Sequence, residues 1–444
     1  MTFPLTPAQL LEANILLLRS KTHPIDIQLD FRDPQWDWEE ETHQFGYVEM
    51  SLVIRTLLPH VARWRRLAVL TDTWLPMFCF LFTTSCSIVS APMLRSLSLS
   101  RCNAYFAGKD EMFKPESHRP PLKLFGGVPL TQLRNVSLVG VHIDWSHSHL
   151  VNLHQLELKY HASDVMPSLR EFLDIFSACP DLTKLSIIGS GPRMELERPT
   201  YYSPGPEQEP EQEQEPEPAG TVPRRNQSPA AVSFRPAITL DRLTRFAFGF
   251  VDVTHAVNVL SLFGLPALRE MEIEDVSLTL NPYEERDASA VLKFLTNNRV
   301  RSIAAAPGIP LAQITSLELR GLCAGRDDFS SFFSHMTSLE RLVLSDTSDE
   351  AVLSLNSRSH APEVICPALK VLHCRDMDSE TVVETVVERS GIGARKLKRL
   401  ILEYRSNEVP VELAECSTAA LLGAGVGRFA LYTNGRLCQE FSRS

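Results

Sequence analysis

One short pattern recurs through most of the chain and constrains its fold more than any other feature. It reads L-x-x-L-x-L with conservative apolar replacements, as in LRSLSL at 94–99 and LERLVL at 339–344. The eleven copies, including a diverged first one, begin at Trp64, Leu94, Leu133, Leu153, Leu182, Leu243, Leu268, Ile314, Leu339, Leu369 and Leu397. So many copies of one motif predict a repeat architecture.

Each copy has the features of a short strand followed by a helix. The last two apolar residues alternate with other residues, which is typical of a strand with one buried face. Segments of helical spacing follow, such as DDFSSFFSHM at 327–336 and SETVVETVVERS at 379–390. Because one strand and one helix cannot bury their own apolar faces, neighbouring copies must stack. The predicted fold is α/β, a leucine-rich-repeat-like solenoid (horseshoe) with a parallel inner sheet and outer helices.

The remaining segments divide the chain into four parts. Residues 1–60 are predicted to form an N-terminal cap of helix, strand and helix, and residues 61–188 the first half of the repeats. Residues 189–237 are a predicted disordered insertion, and residues 238–444 hold the second half of the repeats and a C-terminal cap. The 46 residues from Leu268 to Ile314 predict a further strand around Val300 and Ile303.

The insertion contains a tract that carries most of the net negative charge of the protein. Its tract GPEQEPEQEQEPEPAG at 205–220 holds six glutamates with prolines among them, and removing these glutamates changes the net charge from −10 to −4. Such a segment buries too little apolar surface to offset its ordering entropy, which predicts disorder. It is either a solvated loop or an acidic docking tail. Acidic residues outnumber basic ones, 54 against 44, so the chain lacks the excess of positive charge that nucleic-acid binding requires, and no nucleic-acid partner is expected.

A family resemblance emerges at the N-terminus. The strand HPIDIQLDF at 23–31, the segment LLPHVARWRRLAVL at 57–70 and the repeats together resemble the post-F-box region of the F-box and leucine-rich-repeat-like family of mushroom-forming fungi. The most specific element is His60-x-x-Arg63-Trp64-x-x-Leu67. The resemblance implies repeats that select a target protein for a cullin-RING ubiquitin ligase. An adaptor of that ligase is an expected partner only if an F-box lies upstream, because none is apparent before Leu10.

The side chains on the outward face of the predicted strands are the candidate binding residues. In a solenoid they line the concave surface, where extended partners bind. The candidates are Glu157, Lys159, Glu272, Glu274, Glu318, Arg320, His373 and Arg375. The predicted function is non-enzymatic protein binding of the F-box and leucine-rich-repeat type, with substrate recognition for a ubiquitin ligase as its extension. The alternative is a stand-alone interaction scaffold without a ligase.

Three other motifs contain residue types that could support chemistry. The GAGVG at 423–427 follows a helix-like segment and precedes a strand-like one, the reverse of a phosphate-binding loop, which favours a turn. The histidines at 142, 147, 149 and 154 lack zinc spacing and favour a polar loop over a metal site with Asp144.

Acidic residues recur at one position of two successive repeats. Asp376, Asp378 and Glu380 match Asp346, Asp349 and Glu350, which indicates helix caps and favourable first-turn charge. The alternative is a hydrolase or nucleotide-dependent enzyme that uses Asp376 and Asp378 or the glycines. No catalytic residue, cofactor or metal ligand is predicted.

The expected compartment is the cytoplasm or the nucleus. The N-terminus lacks a basic segment before its apolar stretch, and the nine cysteines include no C-x-x-C pair, which argues against a secreted disulfide framework. The uncharged window from Trp74 to Val89 is broken by Pro76 and several hydroxyl residues, which predicts a buried helix and a loop. Attachment to a membrane is the alternative, and no membrane partner is predicted.

Overall fold

The computed structural model describes residues 7–37, 43, 45–87, 90–102, 112–194, 237–277, 286–297, 308–356, 364–405 and 413–442. Within these ranges the protein is α/β, as predicted. The strands are β1 (Ile25–Phe31), β2 (Trp64–Thr71), β3 (Ser96–Arg101), β4 (Asn135–Val139), β5 (Gln155–Lys159), β6 (Lys184–Ile188), β7 (Ile238–Thr239), β8 (Arg245–Phe250), β9 (Phe263–Gly264), β10 (Glu270–Asp275), β11 (Ser316–Arg320), β12 (Arg341–Ser345), β13 (Val371–Arg375), β14 (Arg399–Tyr404), β15 (Arg428–Thr433) and β16 (Arg436–Ser442).

Fourteen of these strands form one sheet whose spatial order follows the chain. The order is β1-β2-β3-β4-β5-β6-β8-β10-β11-β12-β13-β14-β15-β16. Neighbours are parallel up to β15, and the last pair, β15 and β16, is antiparallel. The short strands β7 and β9 pair with each other. All eleven copies of the repeat motif contribute a strand to the large sheet, which confirms the predicted parallel pairing.

The helices lie between strands along the chain, except the first, which precedes β1. They are α1 (Pro7–Arg19), α2 (Tyr47–Leu57), α3 (Trp74–Cys86), α4 (Leu169–Ser177), α5 (Val253–Ser261), α6 (Ser289–Asn297), α7 (Arg326–Ser334), α8 (Glu350–Leu353), α9 (Ser379–Gly391) and α10 (Glu415–Gly423). The repeat leucines, such as Leu317 and Leu319, are fully buried in one continuous core together with Phe329, Phe332 and Phe333 of α7. Burying each such side chain contributes about 1.5–3 kcal/mol.

The uncharged window that begins at Trp74 forms α3. Trp74, Met77 and Phe80 are buried in the core, so the predicted buried helix is confirmed. Within the described part of the chain, none of the helices combines the length and the apolar character needed to cross a membrane.

Main-chain hydrogen bonds satisfy the turns at both ends of the strands. Where a strand begins, two consecutive N–H groups donate to one carbonyl of the preceding repeat, as His154 and Gln155 do to Arg134 at 2.7 and 3.1 Å. Where a strand ends, the next residue often has positive φ, as at Asp376 (φ 51°). Its N–H donates to the next strand, here to the Glu403 carbonyl at 2.9 Å. These bonds pair main-chain groups of one repeat with those of its neighbour.

Two long connections join strands that are direct neighbours in the sheet. β6 pairs directly with β8 across the predicted insertion 189–237, of which residues 195–236, with the acidic tract, lie outside the described residues. β10 pairs directly with β11. The additional strand predicted around Val300 and Ile303 therefore has no place between them, and both residues lie outside the described ranges.

Candidate functional site

The side chains that alternate with the core residues form the second face of the sheet, which we call the open face. One row of this face runs through the middle of the strands and consists of Ala68, Ser98, Ser137, Glu157, Ser186, Ala247, Glu272, Glu318, Val343, His373, Ile401 and Ala430. The next row holds Lys159, Ile188, Gly249, Glu274, Arg320, Ser345, Arg375 and Glu403. All eight predicted binding residues lie in these two rows.

The first group of charges surrounds Glu157 on β5, and we call it the first cluster. The Glu157 carboxylate accepts hydrogen bonds from the Ser137 hydroxyl at 3.0 Å and the Lys184 ammonium at 2.6 Å. Lys159 lies 4.0 Å away on its other side. Burial acts to raise the pKa of Glu157, but the bond from Lys184 and the two ammonium charges hold it below its usual value. Glu157 is therefore a positioned anion at neutral pH.

A second cluster begins at Arg320 on β11. The guanidinium lies 3.4 Å from Glu272 on the neighbouring strand and 2.7 Å from Glu318 on its own strand. Burial acts to lower the pKa of Arg320, but the two carboxylates raise it overall. Arg320 therefore remains charged and holds both acids in place.

Arg375 on β13 links the second cluster to Glu403 on β14. Its Nη1 reaches Glu318 at 3.2 Å, two strands away, and its Nε lies 2.9 Å from Glu403. The long reach is possible because the intervening strand carries the buried Ser345 at the same level. Glu403 also contacts His373 Nε2 at 3.0 Å. Burial and the nearby Arg375 charge lower the pKa of His373, although Glu403 opposes them.

A depression separates the two clusters. Its floor is low because β6 and β8 carry the small residues Ser186 and Ala247 in adjacent register. It has a volume of about 290 Å³, at the lower limit of ligand pockets, which run from about 300 to 1,000 Å³. Its rim carries four cations and four anions, namely Lys159, Lys184, Arg245, Arg341, Glu157, Glu270, Glu272 and Glu318. The depression can therefore hold one projecting side chain of a partner among charges of both signs.

Four of the eight predicted residues line this depression, and the other four do not. Glu157, Lys159, Glu272 and Glu318 are on its rim. Arg320, His373 and Arg375 belong to the second cluster beside it. Glu274 is the remaining predicted residue and lies in the row of Arg320.

Glu274 differs from the other predicted acids because it has no ion-pair partner within 4 Å among the described residues. Burial raises its pKa, and the nearby Arg320 charge offsets this only in part. An apolar patch lies close to it on the open face and consists of Tyr160, Ile188, Ala247, Val251 and Val276. The floor residue Ala247 thus joins this patch to the charged depression.

The rim also contains charged residues that are not among the eight predicted ones. Lys184, Arg245, Glu270 and Arg341 are each the first residue of a strand. Arg245 and Glu270 hydrogen-bond to each other at 2.7 Å. The sequence could have indicated these four residues, because each of them directly precedes the second apolar residue of a copy of the repeat motif.

The predicted histidine cluster is divided between the core and the surface. His142 is buried and stacks on Trp74 with ring centroids 4.9 Å apart. His147 instead lies on the surface, 2.9 Å from Asp144. His149 lies in the loop before β5 and His154 directly precedes that strand. Within the described ranges no group of three or more metal-ligating side chains forms.

The recurring acids have two different roles. Asp378 accepts a hydrogen bond from the Thr381 N–H at 2.8 Å and caps α9, as predicted. Asp346 and Asp376 are not caps. Both occupy positive-φ turns and contact Arg405, at 3.1 and 3.2 Å respectively. The cap prediction is wrong for these two because their positive-φ turns precede the helices.

The glycines near the C-terminus form a turn between α10 and β15, as predicted. Gly425 has φ +79°, and a Cβ there would lie 2.7 Å from Lys396 Cδ. A Cβ on Gly427 would lie 2.9 Å from the Lys398 carbonyl oxygen. Close approach of the segment 395–399 therefore accounts for these two glycines.

Comparisons with known proteins add no assignment. No protein-family model matches the chain, and no curated protein matches it at a significant level. The functional interpretation is therefore built on the residues and the geometry of the open face.

Proposed function

We propose that the protein is a non-enzymatic protein-binding module. In this proposal the strand-helix units form a leucine-rich-repeat-like solenoid, and the open face is its concave binding surface. The observation that carries the proposal is the depression over Ser186 and Ala247, which lies between two clusters of mutually fixed charges. A parallel sheet that presents such a depression offers a surface across which an extended segment can lie.

The chemistry of the rim favours a partner of mixed charge. Its four cations and four anions balance, so neither a polyanion nor a polycation is attracted as a whole. Because partners within the clusters already hold side chains such as Glu157 and Arg375, less conformational entropy is lost on binding. The partner would therefore be recognised by matching individual charges around one inserted side chain.

The resemblance to fungal F-box proteins extends the proposal to substrate selection for a cullin-RING ubiquitin ligase. The ligase adaptor would be a partner only if an F-box lies upstream of the sequence. A stand-alone scaffold is the alternative. A reducing compartment, cytoplasm or nucleus, is supported by the cysteines, because none of the nine forms a disulfide.

A matched pair of variants tests the binding surface. Ala247→Trp fills the depression, and Ala290→Trp adds the same side chain at an exposed position of α6. Tagged proteins are used to capture partners from the source cells, with quantitative mass spectrometry. We expect a partner retained by the wild type and Ala290→Trp to fall at least about tenfold with Ala247→Trp, which corresponds to about 1.4 kcal/mol.

A second variant tests the depression without introducing a bulky side chain that could disturb folding. Glu270→Lys reverses one charge on the exposed rim, and circular dichroism checks that each variant is folded. Equal capture of every partner by the wild type, Ala247→Trp and Glu270→Lys would refute binding at the depression. Recovery of cullin and adaptor subunits supports the ligase, whereas a specific partner without them supports the scaffold.

A further inference from the structure

A second charged surface lies where strands β12 to β15 begin, and we call it the basic edge. Its basic residues are Arg341, Lys370, Arg395, Lys396, Lys398, Arg399 and Arg428. Two acids, Glu340 and Glu440, lie among them as ion-pair partners. Seven positive against two negative charges leave a local net charge of +5, in a protein whose overall net charge is −10.

The register of the sheet brings these residues together. Arg341 on β12, Val371 on β13, Arg399 on β14 and Arg428 on β15 stand side by side in one row. At about 4.8 Å between strands, the row spans only about 14 Å. The pKa of Glu340 is lowered first by its bond from Lys370 and then by nearby cationic charges of the 395–399 segment. This segment therefore lies close to the row.

Most of the positive charge is not neutralised by the fold. Lys370 and Arg428 have their acidic partners, but the other five basic residues form no ion pair among the described residues. The Nε of Arg399 is buried and has no hydrogen-bond partner. An unsatisfied buried donor is unfavourable, and so is the mutual repulsion of the cations. An anionic ligand would relieve the repulsion between the exposed cations.

The basic edge is held in place by packing. The stem of Lys396 lies against Gly425, where a Cβ would approach it to 2.7 Å. The Lys398 carbonyl accepts the Arg428 N–H at 2.9 Å, and the Lys398 N–H donates to Lys370 at 2.7 Å. The backbone that carries the cations is therefore fixed before any ligand binds.

The chain itself contains a polyanion that fits this surface. The tract Glu207–Glu217 has six glutamates and no basic residue in eleven positions, and it lies outside the described residues. We propose that this tract binds the basic edge of the same chain. The inference does not depend on the proposed function of the open face.

The connection to the sheet is long enough for this contact. The 19 residues from 218 to 236 join the tract to Ala237, close in sequence to β8. From β8 to β14 is five strand spacings, or about 24 Å. Nineteen residues can span at most about 65 Å when fully extended, so the tract can reach the basic edge.

Zero-length carbodiimide cross-linking of the full chain tests the contact. At about 50 mM salt, where charges are weakly screened, we expect tract glutamates to cross-link to Lys396 and Lys398, as mapped by mass spectrometry. Raising the salt to about 500 mM should reduce the yield at least about tenfold. Lys123, which is exposed and outside the basic edge, provides the internal control. Equal, salt-insensitive yields at all three lysines would overturn the proposal.

Charge reversal separates the basic edge from the rest of the surface. Arg341→Glu with Arg395→Glu should reduce the cross-links to Lys396 and Lys398 at least about tenfold, because both arginines are exposed members of the edge. Arg436→Glu, an exposed reversal on β16, should leave the yield unchanged. Equal losses in both variants would contradict a specific contact. Mixing isotope-labelled and unlabelled chains must give cross-links within one chain, and cross-links between chains would refute the intramolecular contact.

A competition experiment gives a readout that does not depend on lysine chemistry. Replacing the six tract glutamates with glutamine should free the basic edge, so that retention on heparin, used as a soluble polyanion probe, rises severalfold at fixed salt. This gain should disappear when Arg341→Glu and Arg395→Glu are added. An unchanged retention would show that the tract does not occupy the edge, which would then be open to an external polyanion.

Discussion

Two buried histidines should make the stability of the protein depend on pH. His161 is buried, its Nε2 lies 2.9 Å from the Val141 carbonyl, and its Nδ1 has no hydrogen-bond partner. Burial lowers the pKa of His161 from 6.5 to about 4. His142 is affected in the same way, since burial and then the charge of His161 lower its pKa to about 4. Both imidazoles are therefore neutral in the folded protein at neutral pH.

The direction in which pH changes the stability follows from the lowered pKa of the two histidines. The folded-state pKa lies below the unfolded-state value, so the unfolded chain binds more protons between about pH 4 and 6.5. The stability contributed by His161 is complete above pH 6.5 and is lost as the pH falls towards 4. For pKa values of 6.5 and about 4, the loss at pH 4.5 is about 2.5 kcal/mol.

Urea unfolding of the wild type and His161→Phe at pH 7.5 and 4.5 measures this loss. The substitution removes the hydrogen bond to Val141, which costs about 1 kcal/mol at both pH values. Between the two pH values the free energy of unfolding should fall by about 2.5 kcal/mol more in the wild type than in the variant. Contributions from carboxylates cancel in this comparison.

His154→Phe is the matched control, because His154 is exposed and the same side chain is introduced. It should keep the pH dependence of the wild type. The reasoning is refuted if His161→Phe loses as much stability between pH 7.5 and 4.5 as the wild type does.

Three further substitutions test local features of the fold. Gly427→Ala should destabilise the protein by about 1–3 kcal/mol more than Gly391→Ala, because a Cβ at Gly427 would lie 2.9 Å from the Lys398 carbonyl oxygen, whereas one at Gly391 meets nothing within 4 Å. Thermal unfolding of both variants measures the difference. Asp378→Ala should cost about 1 kcal/mol through loss of its cap, and Asp349→Ala, whose side chain makes no cap bond, should cost less in the same assay. Arg375→Met should change the free energy of unfolding by no more than about 1 kcal/mol, because its ion pairs are partly exposed, and a larger loss on urea unfolding would contradict this.

The repeats could be predicted from the sequence because their signal is local. A strand with one buried face alternates apolar and polar residues over a few positions, and this alternation is the same in every copy. The same holds at the N-terminus, where the predicted helix, strand and second helix match α1, β1 and α2. The Asp378 cap also depends only on residues within one turn of helix.

The candidate site could be predicted only in part. The eight residues could be predicted because they occupy two positions of the repeat pattern, but their contacts depend on distant parts of the chain. Glu318 and Arg375 meet across an intervening strand, which requires the small Ser345 between them. The turn roles of Asp346 and Asp376 were missed because they depend on Arg405, which belongs to a later repeat.

The sequence by itself determined that the eleven repeat copies form strands, their order along the chain and the face that each of these strands buries. Only the tertiary structure decided where the open face has a depression and where charged side chains cluster. Ser186 and Ala247 are 61 residues apart, and they form one floor because β6 pairs with β8 across the insertion. The cations of the basic edge likewise come together through the register of β12 to β15. Periodicity is a property of neighbouring residues, whereas a depression or a charged patch depends on which distant strands pair.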